Sequence, residues 1–424
     1  MVKSRRDGLG PAFGNIFTAN LASSLGDGIA RTAIPLLAAR LTDDPFLISV
    51  IAALAMLPWL FFAIPSGIII DRVDRRRALA VAQAVRTALG VLLVVLVATD
   101  NLTIWWLYIV IFVYGAFETL YDGAIRAVVP SIVSRANLPR ANSRIEGGEL
   151  VVQNFVSGPV TSGLFAISVL IPLGLNGLVF AVAGALALAL PRAASGLQFG
   201  STDEAPRVPW YRQLADGFRF ILGHRQLRTL WFLTIFIGLA GSAAMATWVL
   251  YVLQTLGVPE VWFGVFMITG AVGGIIGSII ADRLKRWWGA GTTMAVMAVL
   301  TGASLAFAGL VPTLWGGAIG FAVSSLSITT WNILIMSLRQ SIIPGGLLGR
   351  VHGTWRTLLW GTMPLGSLIG GAIATVSLPL PLIVGGGATM LASLIFFRFL
   401  RSLPNPEDVV QDQGPGPTEP LAAP

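Results

Sequence analysis

Acidic and basic side chains recur in this chain where long apolar runs should hold none. Asp27 and Arg31 lie four residues apart in one run, and Asn20, Ser23 and Ser24 extend the same helical stripe. Glu118, Asp122 and Arg126 recur at i, i+4 and i+8 in another, and Arg86 stands in a third. Glu146, Glu149 and Gln153 mark one face at the start of a fourth. A charge at membrane depth costs several kcal/mol unless it is paired or hydrated, so these stripes should face a bundle interior. A carboxyl among apolar walls holds its proton more tightly, and a nearby cation loosens that hold. Asp27 therefore reads either as a proton or cation site or as a permanent pair with Arg31 that keeps its helix in register. Glu118 has only the like-charged Asp122 as an obvious i±4 partner, which favours keeping one of the two carboxyls protonated.

The elements that must carry these residues are membrane spans. Of 424 residues, 55% are hydrophobic and 11% charged, against about 25% charged in an average soluble domain. Mean hydropathy is +0.79. Apolar windows fall at about 13–39, 47–70, 78–98, 103–126, 144–168 and 173–191. After a polar stretch they resume at about 227–253, 260–281, 291–310, 315–338, 353–376 and 381–400. Each is near the ~20 residues needed to cross a bilayer as a helix. The runs lack the period-2 alternation of a membrane barrel. Of the 28 Lys and Arg, 25 lie at the termini, in the loops after even-numbered spans or within four residues of the span ends that meet them. By the positive-inside rule both termini are cytoplasmic. Trp105, Trp106, Trp262 and Trp315 then fall at the outer boundary, and Trp210, Trp287 and Trp288 at the inner one. The net charge of +8 belongs to those cytoplasmic loops and calls for no nucleic-acid partner.

Several chemistries are excluded. There is no cysteine, and His224 and His352 are far apart, so no metal or haem site is expected. Lys3 and Lys285 are the only lysines and neither completes a phosphate-binding G-x-x-x-x-G-K-[ST] loop. The chain is expected to be neither an enzyme nor an ATP-driven pump.

The chain reads as two echoing halves. IIIDRVDRR at 68–76 resembles IIADRLKRW at 279–287, with Asp71 and Arg72 matching Asp282 and Arg283. Arg126 matches Arg339, and Arg140 matches Arg350, at nearly the same offset. The expected organisation is a first bundle at 1–191, a linker at 192–226, a second bundle at 227–400 and a disordered cytoplasmic tail at 401–424. The linker holds a flexible part and an amphipathic segment, in which Trp210, Leu214, Phe218, Ile221 and Leu222 recur at helical spacing.

The string Gly67-Ile-Ile-Ile-Asp71-Arg72-Val-Asp-Arg75-Arg76 matches G-x-x-x-D-R-x-x-R-R, and on it the chain resembles the major facilitator superfamily of transporters. SSLGDGIARTAIPLLAARLT, LPRANSRIEGGE and VSGPVTSGL resemble the enterobactin-exporter and actinobacterial multidrug-efflux branch. The resemblance implies an all-α membrane protein, with twelve transmembrane helices in two pseudo-symmetric six-helix bundles. It implies a proton-coupled exporter of drugs or siderophore-like amphipathic metabolites that works by alternating access. A proton-coupled importer and a non-transporting receptor or scaffold remain as alternatives. Asp27 and Glu118 would couple protons, with Arg31 as charge partner in the cavity. Gly67, Asp71, Arg72, Arg75, Arg76, Asp122 and Arg126 would form the cytoplasmic gate. Asp122 would pair with Arg75 or Arg76, Asp71 would cap a helix start in the other half, and Glu146 and Glu149 would extend the network. Asn20, Ser24, Gln153, Trp248, Tyr251, Trp331 and Asn332 would line the substrate cavity. Gly158, Pro159 and Gly163 match the end of an antiporter signature, Gly-Pro-x-x-Gly-Gly, but Ser162 replaces one glycine. No cofactor is implied beyond the proton gradient. The partners would be a small-molecule substrate and the lipid bilayer, with the chain acting as a monomer in a bacterial cytoplasmic membrane.

Overall fold

The computed structural model describes residues 9–195 and 210–409. Among them every regular element is helical. In the first half these are α1 (Gly10–Leu41), α2 (Pro45–Arg72), α3 (Arg75–Ala98), α4 (Ile104–Ile132), α5 (Leu138–Ile167) and α6 (Leu170–Leu188). A shorter α7 (Trp210–Gly223) follows. The second half holds α8 (Arg225–Met245), α9 (Glu260–Trp288), α10 (Ala290–Leu310), α11 (Leu314–Ile342), α12 (Gly345–Ala374) and α13 (Leu380–Ile395). Ten helices are long and apolar enough to cross a membrane. The two other expected spans are α1, whose hydropathy is diluted by its polar stripe, and α13, which has 16 residues.

Local chemistry sets several helix ends. Asp44 accepts the Phe46 N–H and Pro45 opens α2, a residue whose missing N–H costs nothing there. Asp74 accepts the Arg76 N–H at 2.9 Å and starts α3. Thr313 does the same for Gly316 in α11. Four helices run six or more residues past their hydropathy windows, and α4 does so at its end, over 127–132. α5 begins six residues early, α9 ends seven late and α12 begins eight early, because their polar end turns remain good helix formers in water. Asp282 and Arg283, expected in a loop, consequently lie within α9. Where Asp74 breaks the first half, Lys285 continues the helix, and the chain turns only at Gly289, with φ 79°.

Within the first half α3 packs on α4 and α6, and α1 packs on α6. In the second, α10 packs on α11 and α13, α9 on α11, and α8 on α12 and α13. The halves meet where α2 lies on α12 and where Ser157–Ile167 of α5 lies on α9. Lipid is as apolar as leucine, so helices here associate through close packing and polar contacts. Gly158 and Gly264 let the α5 and α9 backbones meet, since a Cβ on Gly264 would run into the Gly158 carbonyl. The apolar cores follow the same division. Leu37, Phe165 and Phe180 share one cluster with Trp248, Tyr251 and Phe263 of the second half. The other two clusters each stay within one half. Phe61, Val91, Phe232 and Ile279 are exposed outward, as a lipid-facing surface requires.

The amphipathic segment forms α7 and docks on α12. Ile221 is fully buried beside Trp231 and Trp355, Thr354 donates to the Leu214 carbonyl, and Arg350 pairs with Asp216 at 3.1 Å. The flexible part expected at 196–209 lies outside the described residues. The expected disordered tail is packed as far as Val409. Leu403 is buried, and the Asn405 Oδ1 accepts the Ala290 N–H at 2.8 Å, capping α10. The remainder, 410–424, lies outside the described residues.

Candidate functional site

The first-half charges are brought together around a cavity of about 400 Å³ formed by α1, α4 and α5. Asn20, Ser24, Asp27, Arg31, Glu118, Asp122, Arg126, Glu146, Glu149 and Gln153 all line it. The helical spacings in the sequence therefore do converge on one space.

Their pairing differs from expectation. Asp27 does not pair with Arg31. It pairs with Arg86 of α3, and accepts a hydrogen bond from the Tyr114 hydroxyl at 2.8 Å. Arg86 is fully buried; it donates to Tyr114 at 2.9 Å and to Ser23 at 3.2 Å, and stacks over the Phe180 ring at 4.1 Å. Gln83 also donates to Ser23, at 2.8 Å. The reason lies in the helix geometry. Asp27 points toward α3 and is 5% exposed, whereas the Arg31 side chain is 61% exposed and reaches across the cavity. Arg31 donates to Glu118 at 3.2 Å and Gln153 at 3.1 Å. Glu118 thus has a cationic partner that its own helix did not reveal. Asn20 donates to Glu149 at 2.8 Å.

Local structure aims these groups. Val152–Val156 forms a π-helical turn within α5, which places Gln153 and Asn154 on the central cavity. Ser157 donates to the Gln153 carbonyl at 2.7 Å and Asn154 to the Leu150 carbonyl at 3.0 Å, satisfying acceptors that the wider turn loosens. A Cβ at Gly28 would collide with Ser157, so the glycine lets α1 lie against this turn.

A central cavity of about 660 Å³ lies between the halves and shares Arg31, Glu118 and Gln153 with the charged one. A third space of about 510 Å³ opens from it within the second half, past Met56, Phe321 and Trp360. Trp248 lines the central cavity, packed on Phe321 with ring centroids 4.9 Å apart. Trp331 and Asn332 line the third space. Tyr251 does not line the cavity. It is buried in a π-helical turn, Tyr251–Thr255, and donates to the Ala308 carbonyl at 2.5 Å, tying the end of this span to α10.

The polar contacts between the halves all lie at one end. Arg40 binds Glu260 through both oxygens, Gln254 donates to Asp43 at 2.7 Å, and the Gly264 N–H donates to Ser162 at 3.2 Å. At the opposite end, which carries the Asp71–Arg77 string, no hydrogen bond or ion pair joins the halves among the described residues. Arg75 donates to the Ala127 carbonyl at 2.9 Å, and Arg76 binds Asp74 and the Leu190 carbonyl, all within the first half. Asp122 therefore pairs with neither arginine; it faces the charged cavity instead. The Arg76 side chain and N–H beside Asp74 hold its carboxyl below the usual carboxylate range. Gly67 has open space around it, and Arg72 is exposed. The side chain of Asp71 lies outside what the structure describes. In the second half Asp282 pairs with Arg286 and Lys285 on its own helix, and Arg283 is exposed.

Sequence reasoning placed Arg86 in a span but kept it out of the candidate site, and it missed Tyr114 and Gln83. A solitary arginine in an apolar helix was the available signal, since a buried cation needs an acid on another helix. It also missed Trp59, Arg356 and Trp360, which meet where α2 crosses α12.

A helical chain with a central cavity between two echoing halves is the build of a major facilitator transporter. Residues 10–421 match the family described as transmembrane secretion effector, and the chain belongs to that family of the major facilitator superfamily. It is 26% identical over 390 residues to the multidrug efflux pump Tap of Mycobacterium tuberculosis, covering 87% of this chain and 88% of Tap. It is 22% identical over 400 residues to the enterobactin exporter EntS of Citrobacter koseri, covering 93% and 92%. A solved structure of a mutant nucleoside transporter NupG superposes with TM-score 0.76 at 13% identity, over 92% of this chain and 99% of that one.

Proposed function

We propose that this chain is a secondary exporter of drugs or siderophore-like amphipathic metabolites, driven by the proton gradient. The observation that carries the reading is the continuous space between the halves, closed by Arg40–Glu260 and Asp43–Gln254 at one end only. A transporter must offer its site to one side at a time, and rocking two halves about such a site is how parallel repeats do so. The halves are 1–191 and 227–400, six helices each, with α1 and α13 completing twelve spans and 192–226 as the linker. The basic end faces the cytoplasm of a bacterial inner membrane, so this conformation is open inward. One chain encloses the cavity and acts as a monomer.

Asp27 and Glu118 carry the coupled proton, each held by a cation, Arg86 and Arg31 respectively. Protonating either one frees its arginine, and the freed charge must find another partner or water. Trp248, Trp331 and Asn332 offer an aromatic, weakly polar wall to an amphipathic substrate. The homology to drug and siderophore exporters supports the outward direction. Efflux of ethidium from efflux-deficient bacteria tests the reading. Export above empty vector that stops with a protonophore, and fails in Asp27→Asn, is expected. Dye retention equal to empty vector counts against broad drug export, and protonophore-resistant export removes the proton.

A further inference from the structure

Arg356 lies on α12 within the first turn of that span's apolar window, about 4.5 Å past its cytoplasmic edge at 1.5 Å per residue. It is exposed, and no carboxylate pairs with it among the described residues. Its contacts are rings: Trp360 at 5.4 Å and Trp59 at 5.9 Å from the guanidinium carbon. Those two tryptophans come from opposite halves, with centroids 5.6 Å apart and planes at 47°. Both line the central cavity, and Trp360 also lines the space behind it. Arg356 lies one turn nearer the basic end than Trp360, on the same face of α12. The charge acting on it from the facing half is another cation, Arg126 of α4.

This arrangement differs from that of four intramembrane charges in the first half. Asp27, Arg31, Glu118 and Glu149 have partners that their neighbours supply. Arg356 has a planar, fully charged fork whose donors are not taken up by protein acceptors, beside two flat aromatic faces. Cation–π contact steadies the guanidinium but leaves its N–H edge available. An ionisable side chain kept at the edge of a span without a protein partner is open to one supplied by the cargo.

We propose that Arg356, Trp59 and Trp360 form an anion-and-ring subsite that receives the acidic group of an aromatic amphipathic substrate, such as a carboxylate or phenolate beside its ring. The acid binds the guanidinium edge, and the adjoining ring slots against Trp59 and Trp360 where the halves meet. This rests on the transport reading above and adds to its substrate class acids and zwitterions, whose cationic end the carboxylates lining the first-half cavity can accept. A substrate that touches both tryptophans also touches both halves, so its arrival is felt at the junction that must open.

The test is equilibrium binding of two dyes with one ring system, by fluorescence polarisation, to the full chain in phosphatidylcholine nanodiscs. Fluorescein carries the acid and rhodamine 6G a positive charge. Wild type is expected to bind fluorescein. Arg356→Gln should weaken that binding by roughly tenfold or more, the worth of a charge-assisted hydrogen bond, and change rhodamine 6G binding little. Arg356→Lys should retain most fluorescein binding, which separates lost charge from lost fold, and Trp360→Leu should weaken both dyes. Fluorescein binding unmoved by Arg356→Gln, or both dyes lost equally in that variant, overturns the subsite. Transport in proteoliposomes keeps the two readings apart. Rhodamine 6G moved while fluorescein is neither bound nor moved sinks the subsite and leaves the exporter. Fluorescein bound through Arg356 but never moved sinks the exporter and leaves the subsite.

Discussion

The identity of the Asp27 partner changes what that residue can do. A pair with Arg31 would have been solvent-facing and easily broken. In the pair with Arg86 the arginine is sealed under Phe180 and Tyr114, where that cation stripped of its partner has no water to turn to, while Asp27 keeps an edge on the charged cavity. Removing one member of a buried pair typically costs about 3–5 kcal/mol, while removing both can be close to neutral. Asp27→Asn should therefore lower thermal stability in detergent sharply, and adding Arg86→Gln should restore much of it. A thermal-shift double-mutant cycle reads this coupling directly. Additive losses would mean that the two side chains do not share their energy, and would count against the proposed role of this network in proton coupling. The sequence exposed Asp27 and Arg31 because i and i+4 share a face. It hid Arg86 because a contact between helices 59 residues apart in the chain leaves no periodic trace. Glu118 was legible for the same reason as Asp27, and its true partner was hidden for the same reason too.

Hydropathy located the helices because lipid demands apolar length, but it saw only the length that lies in lipid. The watery ends of α5, α9 and α12 are helical by propensity and capping, which hydropathy windows do not measure. The break after Met245 and the π-helical turns are subtler. They depend on which neighbour packs beside the turn, as Ser157 does beside Gly28. The start of α3 is the clearest case of local chemistry at work. Asp74 caps it and grips Arg76 at 2.8 Å, so the basic string is held to its own half. Losing an N-cap costs about 0.5–2 kcal/mol, and Asp74→Ala should fray the first turn by that amount. Faster hydrogen exchange at Arg76 and Arg77 would report it. The sign with pH follows from the lowered carboxyl value. As pH falls, the unfolded chain takes up its proton first, near ~3.9, while the folded cap stays charged. The cap's contribution is whole above that value and is lost as pH drops through the lower folded one. Exchange protection that fades already near neutral pH would contradict this.

At the scale of the molecule, the two ends of the interface are unlike. Hydrogen bonds, an ion pair and glycine-to-glycine contact close one end, and the basic end has none of these between the halves. The repeated DR motif made the two halves legible in the sequence. Which end they close could not be read there, because it depends on the tilt of one half against the other, which leaves no pattern in the sequence. If the halves rock, the closed end must open once per cycle, and the Asp43–Gln254 contact must break. The chain contains no cysteine, so Asp43→Cys with Gln254→Cys introduces the only thiols. Bridging them with a short bifunctional thiol reagent should stop substrate movement in proteoliposomes, and cleaving a reducible bridge should restore it. Dye should still bind in the bridged protein, because the cavity mouth lies at the other end. Transport that continues through an intact bridge would mean that the closed end is not a gate. The substrate would then have to leave by another route, and the lateral seam where Trp59 meets Trp360 is the first place to look for it.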